Sequence, residues 1–206
     1  MDVTKYAISQ FIPHPMMLFA AGTYDEDGTA NLTLISWVSF YWDRGLGITL
    51  CMDGNKSAKR NFERTGGLTL NALVRDQIDT VSALGRAHGS QKALIASTLP
   101  LETSGRVAAP LLAESPLSYE VELVRQIVFE GSDLYLGAIR GVQSGGGDLS
   151  GFANIRGSEA PRVSDVRKER AREADGSYDI LRVEPLLASQ REYCFLTEES
   201  SLGTWC

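Results

Sequence analysis

Short apolar runs separated by tight turns constrain this chain more than any other feature, because such runs make strands far more readily than helices. Met16–Thr23 is one of them, and the Asp25-Glu26-Asp27-Gly28 that follows is a turn in which Gly28 is free to take positive φ. Ala30–Phe40 reads as the return strand of a hairpin, with Leu32, Leu34, Trp37 and Val38 as its apolar content. Leu46–Met52 and Leu68–Leu73 predict two further strands. The clearest period of two lies at Tyr119, Val121 and Leu123, with Glu120 and Glu122 on the opposite face. Gly131-Ser132-Asp133 then turns the chain into a partner strand at Leu134–Ile139.

The helical signals are few and short. Lys56–Arg64 has helical spacing, with Asn55 as its predicted N-cap and Gly66-Gly67 as a left-handed stop. Val74–Leu84, with Ile78, Val81 and Leu84 as apolar positions, and Ser90–Ser97, with Ala93 and Leu94, predict two more. Many short strands with a few short helices argue for a decorated β-barrel, mainly β, and against a parallel βαβ sheet. The stretch 143–177 differs. It opens on Ser144-Gly145-Gly146-Gly147, a linker by composition, and nine of the fourteen residues from Arg162 to Asp175 are charged. Regular β-pattern resumes at Tyr178–Leu181. The chain therefore reads as a single domain over residues 1–206, carrying an inserted polar segment at about 143–177.

Bulk properties remove several functions. Across 206 residues, 43% hydrophobic and 22% charged is ordinary globular composition. A net charge of −6 argues against nucleic acid or an anionic membrane as the main partner, while leaving room for a local basic pocket that takes one phosphate. The three cysteines, Cys51, Cys194 and Cys206, form no CxxC pair, which speaks against a zinc ribbon or a thioredoxin-type motif and for free thiols in a reducing compartment. The first residues have no signal-peptide h-region, and the uncharged run Asn31–Trp42 is too short and too polar to span a bilayer. A cytoplasmic location is the expectation. Asn31-Leu32-Thr33 and Asn55-Lys56-Ser57 fit the glycosylation pattern, but a chain that is not secreted is not modified there.

Catalytic motifs are absent. The two histidines, His14 and His88, have no metal-ligand spacing, and the sequence has no P-loop and no GxSxG elbow. What remains is a set of polar residues on apolar elements. Asn31, Thr33 and Ser36 lie on or just after the second strand, and Lys56 and Ser57 begin a helix. A helix start offers unsatisfied N–H groups and a positive dipole end, to which Lys56 adds charge and Ser57 a hydroxyl, so a phosphate could bind there. The same Lys-Ser start also describes an ordinary solvated helix end. Trp37 on a strand is as readily a core residue. Asn71 would point to solvent from a half-exposed strand, or else line a flat aromatic ligand with Thr and Ser donors.

At these residues the sequence resembles the flavin-reductase-like, FMN-binding split-barrel family, in particular its flavoredoxin branch. The resemblance runs through Pro13-His14-Pro15, then Thr23–Gly28, then Asn31-Leu32-Thr33-Leu34-Ile35-Ser36-Trp37. It continues through Lys56–Phe62, Thr65-Gly66 and Leu68–Asn71, and then Ser90-Gln91-Lys92. Ala109–Glu114, the Tyr119–Ile139 hairpin and Val183–Leu187 also match, so that it covers roughly 10–142 and 178–197. It implies a Greek-key split β-barrel of the FMN-binding type with short helices. Asn31, Thr33 and the stretch Leu34, Ile35, Ser36 and Trp37 would flank the isoalloxazine. Lys56, Ser57, Ala58, Ser90 and Lys92 would form the phosphate end or meet the polar edge of the ring. Three positions depart from the family. Ala58 stands where Thr is common, Asp43-Arg44-Gly45 replaces an Asp-Pro-Pro turn, and the 143–177 segment is longer than the usual connection.

The function implied is a flavoprotein oxidoreductase that binds FMN non-covalently at a homodimer interface. NADH, NADPH or a protein would donate electrons, and the flavin would carry the redox chemistry without a catalytic side chain or a metal. Two other readings stay open. One is a flavin-binding electron carrier with no substrate turnover of its own. The other, for which Ala58 is the motive, is a split barrel that has lost flavin and binds another phosphate-bearing ligand.

Overall fold

A computed structural model describes residues 15–144, 147–148, 185–189 and 192–195. His14, Cys206 and most of the 143–177 stretch lie outside the described residues. The strands are β1 (Met16–Met17), β2 (Phe19–Tyr24), β3 (Ala30–Ile35), β4 (Val38–Trp42), β5 (Leu46–Asp53), β6 (Gly67–Ala72), β7 (Leu101–Thr103), β8 (Pro110–Leu112), β9 (Ser118–Val128), β10 (Ser132–Ser144), β11 (Gly147–Asp148), β12 (Leu186–Ser189) and β13 (Glu192–Phe195). The helices are α1 (Ser57–Thr65), α2 (Ile78–Arg86) and α3 (Ser90–Ala96), with a 3₁₀ turn at Arg75–Gln77 before α2.

The main sheet runs β3-β2-β6-β9-β10-β5-β4, with β11 beside β10, and its pairs are antiparallel. Its two end strands, β3 and β4, are consecutive in the chain and separated only by Ser36 and Trp37. A two-residue link between the ends obliges the sheet to curl until those ends meet, yet β3 and β4 do not pair. The result is a barrel left open along one seam. Ala30–Phe40, expected as one strand, is therefore two. The break is held by a bond from Val38 N to the Ser36 carbonyl (2.9 Å) and another from Cys51 N to the Trp37 carbonyl (3.0 Å).

Alternation along β2 feeds two cores. Phe19 and Ala21 face the barrel interior with Ile48, Leu50, Phe62, Leu68, Leu70, Val121 and Tyr135. Leu18 and Ala20 face outward, under α2 and α3, with Leu32, Leu73, Val81, Leu84, Ala96 and Leu112. The strand is thus sealed on both faces. At Gly22 an added Cβ would sit 2.4 Å from the Pro110 carbonyl oxygen, so only glycine lets the β7–β8 arm close over this face. The period-two reading of β9 places Val121 in the core as expected. Glu120, on the other face, is also fully buried, where it accepts a 2.5 Å bond from Ser104 Oγ and pairs with Arg106 at 3.4 Å.

Helix α1 begins one residue later than its sequence signal. Lys56 is the N-cap, in extended conformation, with no side-chain cap bond, and the first turn contains no acid. Asn55, the expected cap, is bonded through its side chain to Arg60 instead. The C-terminus stops as predicted, with Gly66 at φ 71 donating to the Phe62 carbonyl at 2.9 Å. Leu94, expected as apolar packing on α3, is 71% exposed. Among the described residues no helix is long and apolar enough to cross a membrane.

Candidate functional site

The site lies where α1, the α2–α3 connection and the open seam converge. Two adjoining hollows meet at Leu34 and Lys56, which line both. The first is a cleft of about 440 Å³ between the start of α1 and the Gly85–Gly89 turn, and the second a groove of about 330 Å³ along Leu34–Trp37 and the end of β5. Each falls in the range of small-molecule sites, roughly 300–1,000 Å³.

The cleft is cationic. Lys56, Arg60, His88 and Lys92 line it together with Thr33 and Ser57, and none of its lining residues is acidic. The uncapped first turn of α1 adds unsatisfied N–H groups and its positive dipole end. Lys92 reaches across from α3 and donates to Thr33 Oγ1 at 3.2 Å. Burial holds the Lys92 ammonium below the usual lysine range, and the neighbouring charge of Lys56 pushes the same way. Lys56 itself is paired with Asp53 at 2.6 Å.

The groove has a different character. Leu34, Ile35, Trp37 and Cys51 give it apolar walls, with Ser36, Asp53 and Ser132 at its polar margins. Trp37 is 44% exposed, so it is a wall of the groove and not a core residue. Among the described residues the N–H groups of Ser36 and Trp37 meet no backbone acceptor, which leaves two donors at the seam.

Of the residues predicted from sequence, Thr33, Leu34, Ile35, Ser36, Trp37, Lys56, Ser57 and Lys92 come together around these two hollows. Asn31, Ala58 and Ser90 do not line them. Asn31 is buried and donates to Asp25 at 3.2 Å, where Asn61 of α1 also donates at 2.7 Å; together they tie the hairpin turn to the helix. Ala58 is 1% exposed, on the face of α1 packed against the barrel. Ser90 is exposed at the start of α3. Asn71 is fully buried and fully occupied. It donates to the Ala20 carbonyl (2.9 Å) and Thr69 Oγ1 (3.0 Å), and accepts from Leu112 N (3.0 Å) and Ser118 Oγ (2.8 Å). Arg44, with φ 56, is exposed and lines neither hollow.

Sequence reasoning missed Arg60 and His88 on the cleft, and Cys51, Asp53 and Ser132 on the groove. Arg60 was within reach, since it lies four residues after Lys56 on one helical face. Ser132 and Asp53 are cross-strand partners, and only the β5–β10 register brings them together. Among the described residues no group of His, Cys, Asp and Glu could hold a metal ion.

A family model described as flavin reductase like domain matches residues 9–196. The flavoredoxin of Desulfovibrio vulgaris (Miyazaki F) is similar in structure with a TM-score of 0.71 at 22% identity, over 91% of this chain and 90% of that one. The 2-nitrobenzoate 2-nitroreductase NbaA of Pseudomonas fluorescens gives 0.76 at 14% identity, over 99% and 92%. An FMN-binding protein from Thermus thermophilus with bound 1-cyclohex-2-enone gives 0.69 at 15%, over 95% and 92%. At these identities the likeness is one of fold. Among curated proteins none matches this chain.

Proposed function

The chain belongs to the flavin reductase-like family, and from that membership we propose that it is an FMN-dependent oxidoreductase whose cofactor spans the two adjoining hollows. The observation that carries this reading is the junction at Leu34 and Lys56 of an acid-free cationic cleft with an apolar groove. A phosphate on a flexible polyol joined to a flat apolar ring asks for those two environments in that order. The donor set fits the phosphate: Ser57 Oγ, the uncapped α1 turn, and cations on two walls. The groove fits the ring, with Leu34, Ile35 and Trp37 as walls and the free N–H groups of Ser36 and Trp37 as donors to its polar edge.

When bound, FMN supplies the electron-accepting and electron-donating centre; the chain orients it and tunes its surroundings. Asp53, held by Lys56, keeps a carboxylate at the margin of the groove without leaving it unpaired. A reduced nicotinamide nucleotide is the proposed donor. A homodimer is the proposed assembly, supported by the two aromatics Phe40 (45% exposed) and Trp42 (67%) at alternate positions of end strand β4.

The test is to titrate FMN into the purified protein, follow quenching of flavin fluorescence, and then mix the complex with NADH or NADPH without oxygen. Quenching followed by bleaching of the visible flavin absorbance is expected. Quenching without bleaching by either donor favours the electron-carrier reading. A protein that leaves flavin fluorescence untouched removes the flavin reading altogether.

A further inference from the structure

We infer that the charged clamp for the cofactor's phosphate is Arg60 with Lys92, acting from opposite walls of the cleft, and that Lys56 serves instead as the partition between cleft and groove. The inference rests on the FMN reading and assigns the roles within that site.

Four basic side chains line the cleft, but they are not equally available. Lys56 Nζ lies 2.6 Å from Asp53 Oδ1, so its charge is already matched before any ligand arrives. Lys56 lines both hollows, whereas its partner Asp53 lines only the groove, so the pair draws the Lys56 charge toward the groove side. Among the described residues Arg60 meets only neutral acceptors: the Asn55 carbonyl at 3.4 Å, Asn55 Oδ1, and Ser57 Oγ at 3.3 Å. Lys92 meets the neutral Thr33 hydroxyl at 3.2 Å. Among the described residues neither has a carboxylate within ion-pair distance. Two uncompensated positive charges therefore face each other across the cleft, one from α1 and one from α3. A phosphate monoester near neutral pH carries about −1.5 to −2, so these two charges alone balance it.

Geometry adds to charge. The Arg60 guanidinium is a planar donor set whose present acceptors are all neutral, so a phosphate can replace them and be held through two oxygens, which an ammonium cannot do. Its bond to Ser57 Oγ also fixes that hydroxyl at the first residue of the helix, beside the free N–H groups. The departure at Ala58 fits the same picture. The Ala58 side chain is buried against the barrel and does not line the cleft, and after Ser57 the next residue of α1 that does line it is Arg60.

The test compares FMN with riboflavin, which has the same ring and no phosphate. Fluorescence quenching gives a dissociation constant for each flavin with the unaltered protein and with Arg60→Ala, Arg60→Lys, Lys92→Met and Lys56→Ala. The expected result is that Arg60→Ala and Lys92→Met each weaken FMN by about ten- to a hundredfold while riboflavin changes by less than about threefold. Arg60→Lys should fall between, keeping charge but losing the fork. Lys56→Ala should shift both flavins by similar small factors, as loss of a partition would. If Lys56→Ala alone erases the preference for FMN and the Arg60 and Lys92 variants retain it, the assignment is overturned with FMN binding intact. Should the unaltered protein bind neither flavin, the FMN reading falls and the clamp with it.

Discussion

Lys92 Nζ, on α3, donates to Thr33 Oγ1, on the end strand of the barrel, at 3.2 Å. This bond closes the cleft on the side away from α1. It also keeps a half-buried ammonium with only a neutral hydroxyl for company, beside a second cation. Such an arrangement costs stability in the free protein and is useful when an anion arrives.

Lys92→Met should therefore stabilise the free protein while weakening FMN. Folding moves the Lys92 ammonium into surroundings that disfavour its charge, so at neutral pH the unmodified chain bears a penalty that methionine removes. A gain of roughly 0.5–2 kcal/mol is the scale seen when a functional charge is neutralised. Urea unfolding without ligand measures it. A variant less stable than the unmodified chain would show Lys92 to be a structural tie.

The pH dependence of binding follows from the same group. With its folded pKa held below the ordinary lysine value of 10.5, Lys92 loses its proton at a lower pH than a free lysine. FMN affinity should be full while Lys92 is protonated and should decline as pH rises through that lowered value. Riboflavin affinity should show no such decline, and Lys92→Met should flatten the FMN curve. Dissociation constants measured from about pH 7 to about pH 10.5 decide it, since a decline that appears only at the free-lysine value would place Lys92 outside the site.

Asn71→Ala should unfold the chain more easily without touching the site. Its side chain links β2, β6, β8 and β9 through four bonds, two given and two received, in a fully buried position. Truncation leaves those partners unpaired, at about 1–3 kcal/mol for each group that finds no substitute. A total of about 2–5 kcal/mol is expected in urea unfolding, with FMN affinity measured under native conditions unchanged. Loss of FMN binding in a folded variant would put Asn71 against the ligand after all.

Tyr119 should govern alkaline stability. Burial pushes its phenol up to about 12 from an ordinary 10.0, between the rings of Phe19 and Phe40. A raised acid pKa gives stability that is present in full below the unfolded value and is lost as pH rises through the folded one. The unmodified protein should therefore weaken between about pH 10 and pH 12 by more than Tyr119→Phe does. Denaturant midpoints for the two proteins at several alkaline pH values test this. Parallel decline would assign the effect to other groups.

Much of the fold was legible because its parts obey local rules. The Asp25–Gly28 turn, the helix from Lys56 with its Gly66 stop, and the β9–β10 hairpin all follow from turn chemistry or periodicity. The break at Ser36–Trp37 was not legible. The apolar pattern runs through it, and it exists only because the chain must step there from one end of a curled sheet to the other. Asn71 was ambiguous because alternation states only that it opposes Leu70. That its face is buried too depends on β8 packing over it. Around the two hollows, the Thr33–Trp37 stretch and Lys56, Ser57 and Lys92 are the lining residues that the resemblance had named. Arg60 was on the right face of the helix, but an exposed arginine looks like any solvated charge until the structure shows that no carboxylate among the described residues lies within ion-pair distance of it.

The two-residue step between β3 and β4 also bears on how the molecule is made. Those strands are neighbours in the chain, but the groove beside their link also takes Cys51 and Asp53 from β5 and Ser132 from β10, which reach it only when the sheet pairs across remote parts of the sequence. A nascent or partly assembled chain has the residues of the groove but not the spacing. Capture of a ligand in the groove would then report that the sheet is assembled, and ligand supply during synthesis would shift the yield of mature protein through mass action on the assembled state.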